Sequence, residues 1–325
     1  MRPFEYASPR TKEQAVALLS ANAAVLAGGT DLLALMKDEI VTPKRLVNIK
    51  DIDGLRGVRA GATGLSIGSL VTLSDLGENP IIAKSYPMLH EALTEAASQQ
   101  VRNMATLGGN LCQRPRCWYF RNGMGLLPKD DRGESLVLKG DNRYHAILGN
   151  DGPAYFVSPS TIVPTLIAYN ARVRLFGPKG VREVELEKFF RIPKSEQERE
   201  HDLGPDEIVT EVVVPPANGT RTGYYEVRQK EAFDWPIATC AVALQMSGNT
   251  VKSARVVLGS VAPVPWVSKE AEAALVGKSI SDQTAMAAAN AALGPARSLG
   301  KNKYKITVAK AAVKRAVLNA AKGGA

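Results

Sequence analysis

The stretch from residue 23 to residue 37, AAVLAGGTDLLALMK, decides the reading of this chain. A short apolar run, Ala23 to Ala27, meets Gly28 and Gly29, then Thr30 and Asp31, and Leu32 to Lys37 follow with helical character. The order is strand, glycine loop, helix. Two successive positions without side chains let backbone N–H groups approach an anion closely, and the helix that follows adds a favourable dipole. Phosphate is the natural ligand. The spacing is neither the GxGxxG of the dinucleotide Rossmann turn nor the GK[ST] ending of the P-loop, so NAD and ATP sites of those types are not indicated.

A second glycine pair stands in ATLGGN, residues 105 to 110. One Gly-Gly is more often a plain turn. Two of them, each with a threonine alongside (Thr30 and Thr106), bring the anion-binding and the bland readings close to even. Around these loops the pattern is regular. Thr11 with Gln14 forms a capping box ahead of Ala15 to Leu19, Arg45 to Ile49 is strand-like, and Leu65, Ile67 and Leu70 suggest a hairpin. Pro87 opens a helix expected to run to about Ser98. From Leu111 to about Ala154 the chain is irregular and longer than an ordinary connection.

Regularity returns at Ser158 to Leu175, and Ile208 to Val214 reads as a strand ended by Pro215 and Pro216. After PPANGTRTG the character changes: residues 224–262 read as strands, with Thr239 to Met246 and Val251 to Leu258 joined by Ser247-Gly248-Asn249, and residues 269–321 read as helices. The expected division is therefore 1–220 and 221–325, the first part split into about 1–55 and 56–220 and carrying the insertion 111–154.

Composition agrees with a large folded protein. The 325 residues suggest two or three domains at about 150 residues each, and 45% apolar with 22% charged residues excludes a disordered chain. The longest apolar runs fall far short of the roughly 20 residues that cross a bilayer, and MRPFEYASPR has no apolar core of an export signal. Three cysteines are a sparse, odd set, which points to a reducing compartment, the cytoplasm, with periplasmic export on a signal carried by a partner subunit as the alternative. The net charge of +9 is local: eight basic residues and no acidic one lie from Arg297 onward, leaving residues 1–296 with +1. A solvated helix face or a surface for a partner subunit accounts for this better than nucleic acid, for which no motif is present.

Five motifs occur in order: AGGTDLLALMK (27–37), ATLGGNLCQ (105–113), SPSTIVPTLIAYNA (158–171), LGPDEIVTEVVVP (203–215) and AFDWPIATCAVAL (232–244), with KNKYKITVAKAAVKRAVL closing the chain. Together they resemble the FAD-binding medium subunit of the xanthine dehydrogenase, aldehyde oxidase and carbon monoxide dehydrogenase group of molybdenum hydroxylases. The resemblance implies an α+β fold: a two-part FAD domain of the vanillyl-alcohol oxidase and p-cresol methylhydroxylase type, then an α+β domain of the CO dehydrogenase flavoprotein type. It carries the FAD pyrophosphate loop onto Ala27, Gly28, Gly29, Thr30, Asp31 and Leu32, and a second cofactor contact onto Thr106, Gly109 and Asn110. Thr161 stands where many relatives use an Asp to hold the adenosine part. Val209 matches an apolar residue packed on the isoalloxazine ring, and Arg228 a basic residue near the flavin, with Glu226 at an equally plausible alignment position.

The insertion resembles the aldehyde oxidoreductase and 4-hydroxybenzoyl-CoA reductase branches, in which a corresponding loop can hold a [4Fe–4S] cluster. Such a cluster normally needs four thiolates, and the insertion offers only Cys112 and Cys117, so no cluster is expected in this chain. CQRPRCWYFRN then reads as a loop anchored by Trp118, Tyr119 and Phe120 with Arg114, Arg116 and Arg121 displayed. His90, His145 and His201 show no metal or triad spacing, and Asp141, Asp151 and Asp234 read as turn formers. The expected function is that of a flavin electron-transfer subunit. Molybdopterin would lie in a large partner subunit and [2Fe–2S] centres in a small one, with electrons leaving FAD for NAD⁺, oxygen or another acceptor. A self-sufficient FAD oxidoreductase and a non-catalytic basic binding module remain as rivals at this stage.

Overall fold

The computed structural model describes residues 1–217, 219–230 and 234–322. Asn218 of the Pro-rich linker, and Ala232 and Phe233 of the fifth motif, lie outside the described residues. Among the described residues no helix is long and apolar enough to cross a membrane.

Three sheets organise the chain. The first is parallel, in the order Glu5–Ala7, Arg45–Asn48, Ala23–Leu26. Thr11 accepts the N–H of Gln14 at 3.2 Å as the cap of helix Lys12–Leu18, but Gln14 returns its bond to Arg10 N, one residue earlier than the expected box. Successive residues of the central strand point to opposite faces: Val47 packs with Ala15 and Val16 of that helix, Leu46 with Leu26 and with Met36 of helix Leu32–Lys37. The strand before the first glycine loop is thus fixed from both sides.

The second sheet is antiparallel, in the order Val58–Gly61, Gly64–Gly68, Ile208–Val214, Arg172–Gly177, Gly180–Glu185. Its apolar face is covered by short helices, among them Leu73–Gly77, Pro87–Glu95, Leu107–Cys112 and Val163–Ala168. The helix opened by Pro87 does not reach Ser98 as expected. It stops at Glu95, Ala97 takes a left-handed φ of 50°, and Ser98 starts a new helix by accepting the N–H of Val101 at 3.3 Å. That restart turns the chain so that Met104 and Ala105 run directly into the second glycine loop.

The third sheet orders Trp266–Val267, Thr250–Gly259, Pro236–Ser247 and Thr220–Arg228 antiparallel, with helices Lys269–Leu275, Asp282–Ala292 and Tyr304–Ala321 on one face. The expected turn is present, Ser247 pairing with Thr250 across Gly248 at φ 58°. A seam of Ala309, Ala312, Ala316 and Ala320 lets the last helix lie close on the sheet, and a Cβ on Gly223 would strike the carbonyl of Ala316.

The insertion is packed rather than loose. Phe120, Leu126 and Leu127 share a cluster with Leu35 of the helix after the first glycine loop, while Ile147 and Leu148 enter the core of the third sheet and its helices. The basic C-terminal segment also departs from the expected solvated face at one position. Lys305 is 1% exposed and donates to the carbonyls of Tyr144 (2.9 Å), His145 (3.2 Å) and Ser260 (2.8 Å). It ties the insertion to the last helix.

Burial brings the Lys305 ammonium down from 10.5 to about 7. The folded chain therefore binds fewer protons than the unfolded chain between those values, so this group makes stability rise with pH across that window. Lys305→Met should abolish the rise, and at pH 7 it should cost about 3 kcal/mol by leaving carbonyl oxygens without their donor; urea unfolding as a function of pH measures both.

Candidate functional site

The two glycine loops meet. A Cβ on Gly28 would collide with the carbonyl of Met104 and come within 3.3 Å of Ala105 Cα, so the first loop lies against the backbone that enters the second. Gly29 adopts φ 75°, a region open to glycine, and its carbonyl accepts the N–H of Leu33 at 3.0 Å. Ahead of that bond, the backbone N–H groups of Gly28, Gly29, Thr30, Asp31 and Leu32 have no protein acceptor among the described residues. Five neighbouring donors are left for something other than the chain.

The second loop differs despite its matching sequence. Leu107 N–H donates to Val71 O (2.9 Å), Gly108 N–H to Ser69 O (2.8 Å), Gly109 N–H to Thr106 Oγ1 (3.1 Å) and Asn110 N–H to Thr106 O (2.8 Å). Its donors are used internally, so the expectation of a second backbone anion cradle is corrected. Gly108 is there for contact: a Cβ would lie 2.9 Å from Ser69 Cβ. What this loop offers outward is the Asn110 side chain, whose Oδ1 accepts from Ser160 Oγ at 2.5 Å and whose amide nitrogen donates to no protein group among the described residues. Ser160 Oγ also accepts the N–H of Val163, the first residue of helix Val163–Ala168, at 3.1 Å, and Thr161, 8% exposed, follows it in the chain.

Val209 is buried in the core of the second sheet, opposite Leu175. Arg228 lies apart from the loops. It pairs with Glu95 at the end of helix Pro87–Glu95 and, at 3.3 Å, with Glu226, which in turn accepts from Tyr224 Oη at 2.6 Å. The two alignment positions, Glu226 and Arg228, thus belong to one cluster. Burial raises the Glu226 carboxyl pKa, against the hydrogen bond from Tyr224 and the charge of Arg228.

Residues not foreseen as part of the site are the insertion arginines. Read from sequence as displayed, they turn inward: their side chains are 15% (Arg114), 27% (Arg116) and 19% (Arg121) exposed. Asp31 is the reason. Its carboxylate pairs with Arg116, pairs with Arg121 at 2.8 Å, and accepts the backbone N–H of Arg114 at 2.9 Å. Burial opposes the charged form, yet Arg116, the Arg114 N–H and Arg121 outweigh it and hold the Asp31 pKa below its ordinary value. Arg114 itself binds Glu200 at 2.7 Å. Arg116 lies over the ring of Trp235, 4.6 Å from its centroid, at one wall of a cavity of about 300 Å³ that Trp118, Tyr144 and Phe156 also line. A sequence signal existed: an aspartate in a glycine loop next to apolar neighbours needs a counter-charge.

His145 is 3% exposed, its Nε2 3.2 Å from Cys117 Sγ and its pKa brought down to about 4, mainly by burial. His201 is buried in a stack on Phe189. The cysteines are unpaired, and among the described residues no three His, Cys, Asp or Glu side chains are grouped to hold a metal ion.

Comparison with known proteins supplies the family. The profile of the FAD binding domain in molybdopterin dehydrogenase matches residues 2–217, and that of the CO dehydrogenase flavoprotein C-terminal domain matches residues 223–320. The aldehyde oxidoreductase FAD-binding subunit PaoB of Escherichia coli K12 is 34% identical over 95% of this chain and 96% of its own length. The carbon monoxide dehydrogenase medium chain of Hydrogenophaga pseudoflava is 34% identical over 98% of this chain and 96% of its own. The solved carbon monoxide dehydrogenase of that organism lacking the Mo-pyranopterin moiety superposes with a TM-score of 0.76 at 33% identity, covering 99% of this chain and 98% of that one. For quinoline 2-oxidoreductase of Pseudomonas putida 86 the TM-score is 0.77 at 26% identity, with the same coverage. The chain belongs to the family of FAD-binding medium subunits of the molybdenum hydroxylases, an oxidoreductase subunit in which a two-part FAD-binding domain is joined to a CO dehydrogenase flavoprotein C-terminal domain.

Proposed function

We propose that this chain holds FAD between its two glycine loops and relays electrons from [2Fe–2S] centres of a small partner subunit to an external acceptor, the substrate being oxidised at molybdopterin in a large partner subunit. The observation that carries the reading is the row of five unpaired backbone donors from Gly28 to Leu32, which fits a diphosphate as a dry, neutral ligand would not. When bound, FAD supplies the exchange between single electrons from iron–sulfur centres and the pair that an acceptor takes.

The chain's own residues bind and orient. The Gly28–Leu32 donors, on the loop that opens at Ala27, receive the diphosphate charge. Asn110 and Thr161 supply neutral hydrogen-bonding groups to the adenosine side, with Thr106 and Gly109 fixing the turn that presents Asn110. Val209, part of the apolar core of the second sheet, and Arg228, whose charge is balanced by Glu95 and Glu226, are the residues assigned to the flavin side. No side chain is asked to move a proton at the substrate. The division into 1–220 and 221–325 is proposed as the boundary between cofactor domain and C-terminal domain, and the three free thiols favour a reducing, cytoplasmic location.

Purified with its partners, the complex should carry one FAD per copy of this chain. Gly28→Ala should weaken FAD binding by about tenfold or more, because the added Cβ strikes the Met104 carbonyl and displaces the donor row; fluorescence titration of the apoprotein checks this, and unchanged affinity would remove the loop from the site. In stopped-flow absorbance, aldehyde, purine or other substrate should bleach the flavin band only in the assembled complex. Bleaching of the isolated flavin-loaded chain would overturn the electron-transfer reading in favour of a self-sufficient enzyme.

A further inference from the structure

Asp31 occupies the position before helix Leu32–Lys37 where an aspartate ordinarily folds its carboxylate back onto the free N–H groups of the first turn. Here it makes no such bond. The groups such a cap takes, the N–H of Leu33 or Ala34, directly follow the open donor row, and a carboxylate held there would set an unbalanced negative charge beside any incoming anion. The carboxylate is instead drawn away by Arg116 and Arg121 and by the Arg114 N–H, all from the insertion. Two guanidiniums against one carboxylate leave the vicinity of the row with an excess positive charge. Arg116 is itself backed by the Trp235 ring from the C-terminal part of the chain.

We propose that Arg116 and Arg121 are positioning residues for the FAD diphosphate: by pairing with Asp31 they cancel a negative charge at the end of the Gly28–Leu32 donors and make the loop net positive. This rests on the FAD reading given above. It assigns the 111–154 insertion a task at the cofactor. A purely structural clamp would behave differently, since removing either side of it would then do equal harm and removing both would do at least as much.

The test is an affinity cycle on the full chain. Apoprotein is titrated with FAD by fluorescence, with ADP as a probe that carries the diphosphate without the flavin, and thermal unfolding reports on the fold. Arg116→Gln with Arg121→Gln should weaken both ligands by about tenfold or more, the scale of a lost charge-assisted contact. Adding Asp31→Asn to that pair should restore most of the loss, because the negative charge at position 31 is then gone. A triple variant as weak as the double, or weaker, would overturn the proposal, as would a double variant that binds ADP like the parent chain. If the double variant does not fold, Arg116→Gln alone, with and without Asp31→Asn, asks the same question, Arg121 remaining 2.8 Å from the carboxylate. Failure of the parent chain to bind FAD at all would instead defeat the underlying cofactor reading.

Discussion

Backbone donors in folded proteins are almost always satisfied, by the chain, by water or by a ligand. The row from Gly28 to Leu32 leaves that requirement to water or a ligand, and much of the fold holds it open. The strand before it is packed on both faces, Gly28 is wedged against Met104 and Ala105, and the Gly29 carbonyl is already used by Leu33. The loop cannot relax to satisfy its own donors without losing those contacts. Water or an anion supplied from outside can satisfy the row while that packing is kept, and an anion answers several neighbouring donors at once.

The two Gly-Gly pairs show how far one sequence signal can diverge. Both stand beside a threonine and ahead of a helix, yet Thr106 caps its helix through the Gly109 N–H and Thr30 caps nothing. The decisive difference is tertiary. Gly108 sits under Ser69, whose carbonyl takes its N–H, so the missing side chain at 108 serves close packing. At 28 the missing side chain also serves packing, but the packing partner is the other loop, and the donors that follow have no protein acceptor among the described residues. No local pattern distinguishes these cases, because the partners lie far off in sequence.

The same contrast separates what the sequence shows from what it hides. Strand Ile208–Val214, the turn at Gly248 and the start of helix Lys12–Leu18 follow from alternation, turn chemistry and the Thr11 cap, which are local. The early end of the Pro87 helix depends on Ala97 at positive φ, a conformation alanine does not advertise. Arg114, Arg116 and Arg121 look like surface residues in a polar stretch until Asp31, some 80 to 90 residues earlier, is seen to need them. Lys305 looks like one more base in a basic tail, and is buried because three carbonyls of other segments converge on it. Loop motifs name the ligand class; long-range charge pairing determines how the loop is held.

The insertion therefore joins parts that the sheets leave separate. Phe120, Leu126 and Leu127 pack on Leu35 just after the donor row, and Ile147 and Leu148 pack into the core beneath the last helix, with Lys305 fastening the carbonyls of Tyr144 and His145 alongside. Between these anchors Arg116 stands with Asp31 on one side and Trp235 on the other. Apolar burial gives this arm its grip, since each large buried side chain is worth about 1.5–3 kcal/mol, more than an exposed ion pair contributes. The charges, being few and partly buried, set direction instead. They hold the Asp31 carboxylate and balance its charge, and so decide whether an incoming anion meets a net positive or a net negative loop.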